Sequence, residues 1–322
     1  MYRLLSNKTK ALPLLAILIG ISAYPLFNPA GAANGFDLSN TILPRAEILH
    51  GGPPRDGIPA ISNPKMIPAN QAEYIDAGHR VVGIKLHGEA RAYPIGILNW
   101  HEIVNDTIAG QRFAVTFCPL CGTAVAFDAT IDGTATDFGV SGLLYNSDVL
   151  LYDRTTESLW SQILGQAIAG ERVGMKLEVL PISHTTWQDW KQKNPKTLVM
   201  SNETGFSRNY SRNPYAGYEQ SRHTYFAVNN KAPEDYHPKE VVFGLEVDGV
   251  YRAYPFVELE QQGKPRFSDT INGQTYDFNW DQQNRSLTVT NADGVEVAGI
   301  QGFWFAWFAF HPHTEVFKAE AS

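Results

Sequence analysis

The sequence predicts an α+β protein, mainly antiparallel β, in which two diverged tandem β-rich modules flank an α/β insertion. Short runs of alternating apolar residues, separated by Gly, Asn and Asp, predict the strands. An internal repeat predicts the modules, because GIKLHGEARAYP at 83–94 and GLEVDGVYRAYP at 244–255 share six of twelve residues without a gap. After a two-residue insertion 105–117 faces 268–280. Further along, two shared glycines align 138–152 with 298–312.

The chain divides into five segments. Residues 1–32 have the basic start, apolar stretch and small-residue end of a secretory signal peptide. Residues 33–79, with repeated Pro and Gly, predict an extended N-terminal arm. The first module covers 80–160 and the second 241–319, with an α/β and loop segment at 161–240 between them. We therefore expect an exported protein, periplasmic or extracellular, whose only membrane contact would be an uncleaved signal segment.

Local patterns place several elements within these segments. His87-Gly88 and Asp248-Gly249 lie between alternating apolar runs and predict hairpin turns. A brief helix is expected over 97–104, and another from Trp187 to Lys193, where Asn194-Pro195 would stop it. Residues 202–240, rich in Asn, Tyr, Ser, Arg and Pro, predict a long surface excursion.

Composition argues against several classes of protein. Lys plus Arg is 26 and Asp plus Glu is 33, a net charge of −7, without the basic cluster that binds nucleic acid. Two cysteines cannot form a multi-disulfide scaffold. The sequence has neither a phosphate-binding glycine loop nor a dinucleotide fingerprint, so we expect neither ATP nor NAD. Gly122 stands where c-type haem attachment requires histidine.

The strongest chemical motif is the pair Cys118 and Cys121 in CPLCG. In an exported protein this spacing suits a structural disulfide, a redox dithiol or part of a metal site. A disulfide here would close a loop of only four residues and contribute about 2 kcal/mol in the loop-entropy model. The second module has Asp281 and Asn284 at the facing positions, so the repeated unit does not need the cysteines in order to fold.

A metal site needs ligands beyond the two thiolates. His101 in NWHEIVND and His311 in FWFAWFAFHPHTE are the candidates, because each lies in an apolar context and neither faces a histidine in the other module. His313 is a weaker candidate. One site at the interface between the modules would explain this asymmetry, and a set of two sulfurs and two nitrogens suits copper or zinc.

The run from Asn146 to Arg154 is dense in polar groups between apolar ones. Asp148, Asp153 and Arg154 are therefore candidates to line a pocket. Turn capping and an Asp–Arg ion pair explain the same residues equally well.

Four strings occur in order: NWHEIVND, VTFCPLCGTAVAFD, FGVSGLLYNSDVLLYDRTTESLWSQ and FWFAWFAFHPHTE. Through them the chain resembles, from about residue 55 onwards, a widespread prokaryotic and often exported family catalogued only as a domain of unknown function. The resemblance implies no established activity. It places the cysteine, histidine and pocket candidates within the family's signature strings and adds Trp160 to the pocket candidates.

These observations lead to three hypotheses. The first is an exported protein that binds copper or zinc through the cysteine pair and histidines. The second is a thiol–disulfide oxidoreductase that uses the same pair. The third is a non-catalytic binding or scaffold module with a structural disulfide. The expected partner is a metal or a small molecule.

Overall fold

A computed structural model describes residues 32–319 as a β-rich protein with short helices. In chain order the strands begin with β1 Ala32–Ala33, β2 Phe36–Asp37, β3 Ile48–His50, β4 Ile61–Ser62, β5 Met66–Pro68, β6 Arg80–Leu86, β7 Glu89–Pro94, β8 Ile103–Ile108, β9 Gln111–Cys118, β10 Thr123–Asp128, β11 Thr130–Ile131, β12 Thr134–Ala135 and β13 Phe138–Tyr145. They continue with β14 Asp148–Asp153, β15 Leu159–Ser161, β16 Gln166–Ala169, β17 Val179–Leu180, β18 Ile182–Thr186, β19 Leu198–Met200, β20 Val241–Val247, β21 Val250–Pro255, β22 Arg266–Ile271, β23 Gln274–Asp281, β24 Ser286–Asn291, β25 Ile300–Phe303 and β26 Glu315–Val316. The α-helices are α1 Ile95–His101, α2 Trp187–Lys193, α3 Phe256–Gln262 and α4 Trp304–Phe310.

The strands of the described residues form six sheets, two of which have only two strands each. The largest has nine strands in the order β26-β21-β20-β25-β10-β9-β8-β4, with β17 beside β10. Two five-stranded sheets have the orders β18-β6-β7-β19-β5 and β16-β15-β14-β13-β3, and β22-β23-β24 form a three-stranded sheet. Most pairs are antiparallel; β4 with β8, β7 with β19, and β21 with β26 are parallel. The predicted α+β class with mainly antiparallel sheet is confirmed at this level.

One pattern of strand pairing occurs twice. β6 and β7 form a hairpin flanked by β18 and β19, and β20 and β21 form a hairpin flanked by β25 and β26. Helix α2 connects β18 to β19, and α4 connects β25 to β26. In each set a tryptophan ring covers a strand glycine and its indole N–H donates to a threonine hydroxyl. These residues are Gly83, Trp190 and Thr197 in one set, and Gly244, Trp307 and Thr314 in the other.

This pairing corrects part of the sequence alignment. Residues 298–312 correspond to β18 and α2, whereas their shared glycines aligned them with 138–152. The error arose because residues 129–181 lie between β10 and β18, and the equivalent link from β24 to β25 has only residues 292–299. The longer link contains β13 to β16 of the second five-stranded sheet.

Several local predictions can be compared directly with the structure. The helix from Trp187 to Lys193 is confirmed, and the Thr186 hydroxyl caps it by accepting a hydrogen bond from the Asp189 N–H. The helix expected over 97–104 spans Ile95–His101 instead. Residues 201–240 contain neither helix nor strand. No helix within 32–319 is long and apolar enough to cross a membrane, and the predicted signal peptide lies outside the described residues.

Candidate metal centre

The two cysteines lie on a tight hairpin between β9 and β10. Cys118 pairs with Thr123, so four residues form the loop, and the Cys121 N–H donates to the Cys118 carbonyl at 3.2 Å. Gly122 has φ 62°, and a Cβ there would lie 2.9 Å from the Phe303 ring. The Phe303 N–H donates to the Cys121 carbonyl at 2.7 Å. Close packing under a glycine therefore fixes the position of the loop.

Asp148 comes from a second hairpin, between β13 and β14. Asn146 and Ser147 form its two-residue turn with φ 50° and 68°, the left-handed geometry that matches strand twist. The Ser147 carbonyl faces both sulfurs, at 3.3 Å from Cys121 Sγ and 3.8 Å from Cys118 Sγ. This contact brings the β13–β14 turn of the second five-stranded sheet against the cysteine loop.

Together these hairpins form a cluster of potential metal ligands. One ligand atom from each of Cys118, Cys121 and Asp148 lies within 4.8 Å of the other two. The three residues are at most 2% exposed, and both cysteines are free thiols. The Asp148 carboxyl accepts from the Thr123 hydroxyl at 3.1 Å and from the Ile163 N–H at 3.2 Å. The cluster can hold a metal ion.

In the absence of a cation, burial disfavours the ionised forms of both thiols and of the carboxyl. It raises the pKa of the Cys118 thiol and raises that of Cys121 well above its usual value. It also raises the pKa of Asp148 to about 7, although hydrogen bonds to the carboxyl oppose the effect. A bound cation would reverse this preference, because it stabilises thiolate and carboxylate.

Two buried hydroxyls around the cluster have no hydrogen-bond partner among the described residues: Ser147 Oγ and the Tyr218 hydroxyl. Tyr218 is 3% exposed, and charge on either cysteine would raise its pKa further beyond the effect of burial. The Lys239 ammonium lies 4.1 Å from its ring centroid. Buried polar atoms are nearly always satisfied, so these two hydroxyls mark a place where another group would fit.

A family model described as a protein of unknown function, DUF3179, matches residues 55–314. The chain belongs to this family. The match includes the cysteine loop, the Asp148 hairpin and Tyr218. No match was found among curated proteins or among solved structures.

In this DUF3179 protein the two predicted histidine ligands lie outside the cluster. His101 is fully buried, with Nδ1 2.7 Å from the Pro59 carbonyl and Nε2 2.7 Å from the Tyr210 hydroxyl. Because a carbonyl only accepts, Nδ1 carries the proton and Nε2 accepts from Tyr210. Both ring nitrogens are thus engaged, and burial lowers the pKa of His101.

His311 follows α4 and stacks on Tyr251, with ring centroids 4.1 Å apart. It lines a separate cavity of about 280 Å³. Burial lowers its pKa to about 4. His313, the weaker candidate, is exposed. The histidines were selected for their apolar surroundings, which here reflect ring packing.

Of the pocket candidates, only Asp148 reaches the cluster. Asp153 is fully buried and accepts from Trp160 Nε1 at 2.9 Å and Arg172 Nη1 at 3.1 Å. Arg154 pairs instead with Asp56 at 2.8 Å and is partly exposed. The run from Asn146 to Arg154 thus contributes both a potential metal ligand, Asp148, and one partner of a buried ion pair, Asp153.

Sequence reasoning missed Ser147, Tyr218 and Glu102. Glu102 is 8% exposed, and burial together with the Asp148 charge raises its pKa to about 8. It adjoins His101 in the sequence, but a single acidic residue carries no spacing pattern that would select it. Tyr218 lies in the excursion whose composition resembles any surface loop.

Proposed function

We propose that this protein is an exported metalloprotein in which Cys118, Cys121 and Asp148 bind one transition-metal ion, zinc in the first place and copper as the alternative. The observation that carries the proposal is the convergence of two free thiols and a carboxyl within 4.8 Å in a buried site. Two hairpins from different sheets are needed to produce it.

The spacing fits a metal with little rearrangement. Two sulfurs bound to one tetrahedral zinc, each at about 2.3 Å, are about 3.8 Å apart. The ligand atoms, within 4.8 Å of one another, need shifts of about 1 Å or less. Without a cation, three acidic groups occupy a site where ionisation is costly.

The donor set favours zinc. Zinc accepts thiolate and carboxylate oxygen together, whereas copper(I) prefers sulfur ligands alone. Three protein ligands also leave one tetrahedral position for water or another group, as in catalytic zinc sites. The hydroxyls of Ser147 and Tyr218, which have no partner among the described residues, would be available to hydrogen-bond such a group.

The redox alternative has less support. A nucleophilic cysteine needs a depressed pKa and access to a partner. Here Cys118 is 2% exposed and Cys121 0%, and burial raises both pKa values.

Elemental analysis of the purified protein tests the proposal. We expect about one equivalent of zinc or copper, lost in Cys118→Ser, Cys121→Ser and Asp148→Asn. Asp153→Asn is the matched control, because Asp153 is a buried aspartate at the other end of β14, and it should retain the metal. His101→Gln and His311→Gln should retain it too. Cobalt substitution should give sulfur-to-metal charge-transfer bands that disappear in the cysteine variants.

Metal-free protein whose mass is two hydrogens lower, with a Cys118–Cys121 bridge, would overturn the proposal. The reduction potential of that bridge would then decide between a redox enzyme and a scaffold.

We also propose that the protein is exported and that its chain consists of two diverged modules. The apolar N-terminal stretch supports export. The recurring pairings and the two glycine–tryptophan–threonine sets support two diverged modules. In that interpretation the first module would include β18, α2 and β19, and residues 129–181 would be an insertion into it.

A further inference from the structure

A cavity of about 370 Å³ adjoins the cysteine–aspartate cluster. Leu120, between the two cysteines, and Val149, next to Asp148, form part of its wall. Ile58, Tyr225 and Phe226 lie on other sides. The volume lies within the range of small-molecule binding sites, and the wall is mostly apolar, as is usual for them.

Glu102 is the one charged residue among those described that line this cavity. Its backbone has φ 58° and ψ −33°, a conformation that residues other than glycine rarely adopt. The fold imposes it: the Glu102 N–H donates to the Leu98 carbonyl, and the Glu102 carbonyl accepts from the Phe117 N–H, both at 2.7 Å.

The Glu102 side chain is mostly buried, but its carboxyl oxygens are not fully enclosed and the residue lines the cavity. The residue is 8% exposed, and no hydrogen bond from residues 32–319 reaches its carboxyl. Its charge acts on both Asp148 and Cys118, so it lies near the cluster. A mostly buried carboxyl that lines a cavity and has no protein partner is a group to which a ligand can supply a hydrogen bond.

We propose that this cavity binds a small molecule with an apolar body and one hydrogen-bond donor, a hydroxyl or an amine, which donates to the Glu102 carboxyl. The apolar wall would cover the body, with the aromatic rings of Tyr225 and Phe226 on one side. At Glu102 an anionic molecule would be disfavoured once this carboxyl is ionised, above its pKa of about 8. This inference rests on the proposed function. It adds to it the class of small molecule that would bind beside the metal.

Four aromatic probes test the proposal by calorimetric titration of the protein with its metal content as purified. They are p-cresol and benzylamine, which carry a donor, toluene, which lacks one, and benzoate, an anion. At pH 9, where Glu102 is ionised, we expect the donor probes to bind at least about tenfold more tightly than toluene, the effect of one well-made hydrogen bond to a charged group. In the Cys118→Ser/Cys121→Ser protein benzoate should bind no more tightly than toluene. Glu102→Gln keeps the shape and should weaken benzylamine about tenfold, and p-cresol less.

Ile58→Trp fills the cavity from a half-buried position and should abolish binding of every probe. Val295→Trp, on a side chain 60% exposed, is the matched control and should change nothing. Equal binding of toluene and benzylamine, or no effect of Glu102→Gln, would overturn the role of Glu102. Binding unaffected by Ile58→Trp would overturn the assignment of the cavity.

The same titrations on the Cys118→Ser/Cys121→Ser protein separate this inference from the metal proposal. Selective probe binding that survives in this variant supports the cavity whether or not the parent contains metal. Absence of metal in the parent, by contrast, overturns only the proposed function.

Discussion

Asp153→Ala tests whether the polar residues between Asn146 and Arg154 stabilise the protein interior or belong to the candidate metal site. The Asp153 carboxyl is fully buried and is the anion that pairs with Arg172, at 3.1 Å. It also accepts from Trp160 Nε1 and from the Thr156 N–H, at 2.9 and 2.7 Å. The Thr156 hydroxyl donates to it as well, at 3.0 Å, so the substitution removes the acceptor of four donors in one step.

The expected loss follows from the group left behind. The Arg172 side chain is 9% exposed, and removing one partner of a buried ion pair costs about 3–5 kcal/mol. The indole and amide donors left without an acceptor add only part of their full desolvation cost, since water can enter the space that the carboxyl vacates. We expect a loss of about 4 kcal/mol, a large fraction of the 5–15 kcal/mol typical of a folded domain.

Urea unfolding followed by tryptophan fluorescence measures this loss. Arg172→Met and the double variant complete a cycle in which the double variant should be more stable than Asp153→Ala alone, because the unpaired charge is gone. Elemental analysis should find the same metal content in all four proteins that remain folded. A loss below about 1 kcal/mol would refute the argument, as would disappearance of the metal from folded Asp153→Ala.

Three further predictions concern packing and pH. Gly244→Ala should lower the free energy of unfolding by about 1–3 kcal/mol, because the added Cβ would lie 2.2 Å from a tryptophan ring. Gly78→Ala, whose added Cβ would have nothing within 4 Å, is the control. Thermal melts should show a lower melting temperature for Gly244→Ala and little change for Gly78→Ala. The pKa of His311 is about 4 when folded against 6.5 in the unfolded chain, so the unfolded state binds more protons and stability falls as pH drops from 6.5 to about 4. The loss attributable to this residue is about 3 kcal/mol, and urea midpoints of His311→Gln should be less pH-dependent than the parent's by that amount. Conversely, metal-free protein should lose stability as pH rises from about 4 to about 8, because Asp148 and Glu102 keep their protons only when folded, and zinc should reverse this trend in melts at pH 8.

The sequence predicted the fold class and much of the local structure because these depend on short-range patterns. Alternation around His87-Gly88 and Asp248-Gly249 indicated the hairpins β6–β7 and β20–β21, which the pairings confirm. The helix from Trp187 to Lys193 had both a cap and a stop. Where register depended on a distant match, as for 298–312, shared glycines were too weak a guide.

The sequence predicted the cysteines of the candidate site as ligands but Asp148 only as a residue lining a pocket, for a similar reason. CPLCG is a local motif, so the cysteines could be selected from the sequence. Asp148 joins them through a contact between two sheets, and a single aspartate carries no spacing signal of its own. His101 was misleading because its two ring partners, Pro59 and Tyr210, are distant in the sequence and invisible to pattern reasoning.

The residues of the cluster come from two hairpins, β9–β10 and β13–β14, and this division constrains how such a site could be engineered. The β23–β24 turn has the same four-residue length as the cysteine loop, with Asp281 and Asn284 at the matching places. Restoring cysteines there would supply two thiols but no aspartate, since the link from β24 to β25 has no counterpart of β14. That turn is also occupied, because Thr186 donates to the Asn284 side chain at 2.6 Å. The two turns of equal length therefore differ in what they contact: the cysteine loop lies against Asp148, and the β23–β24 turn lies against the start of α2.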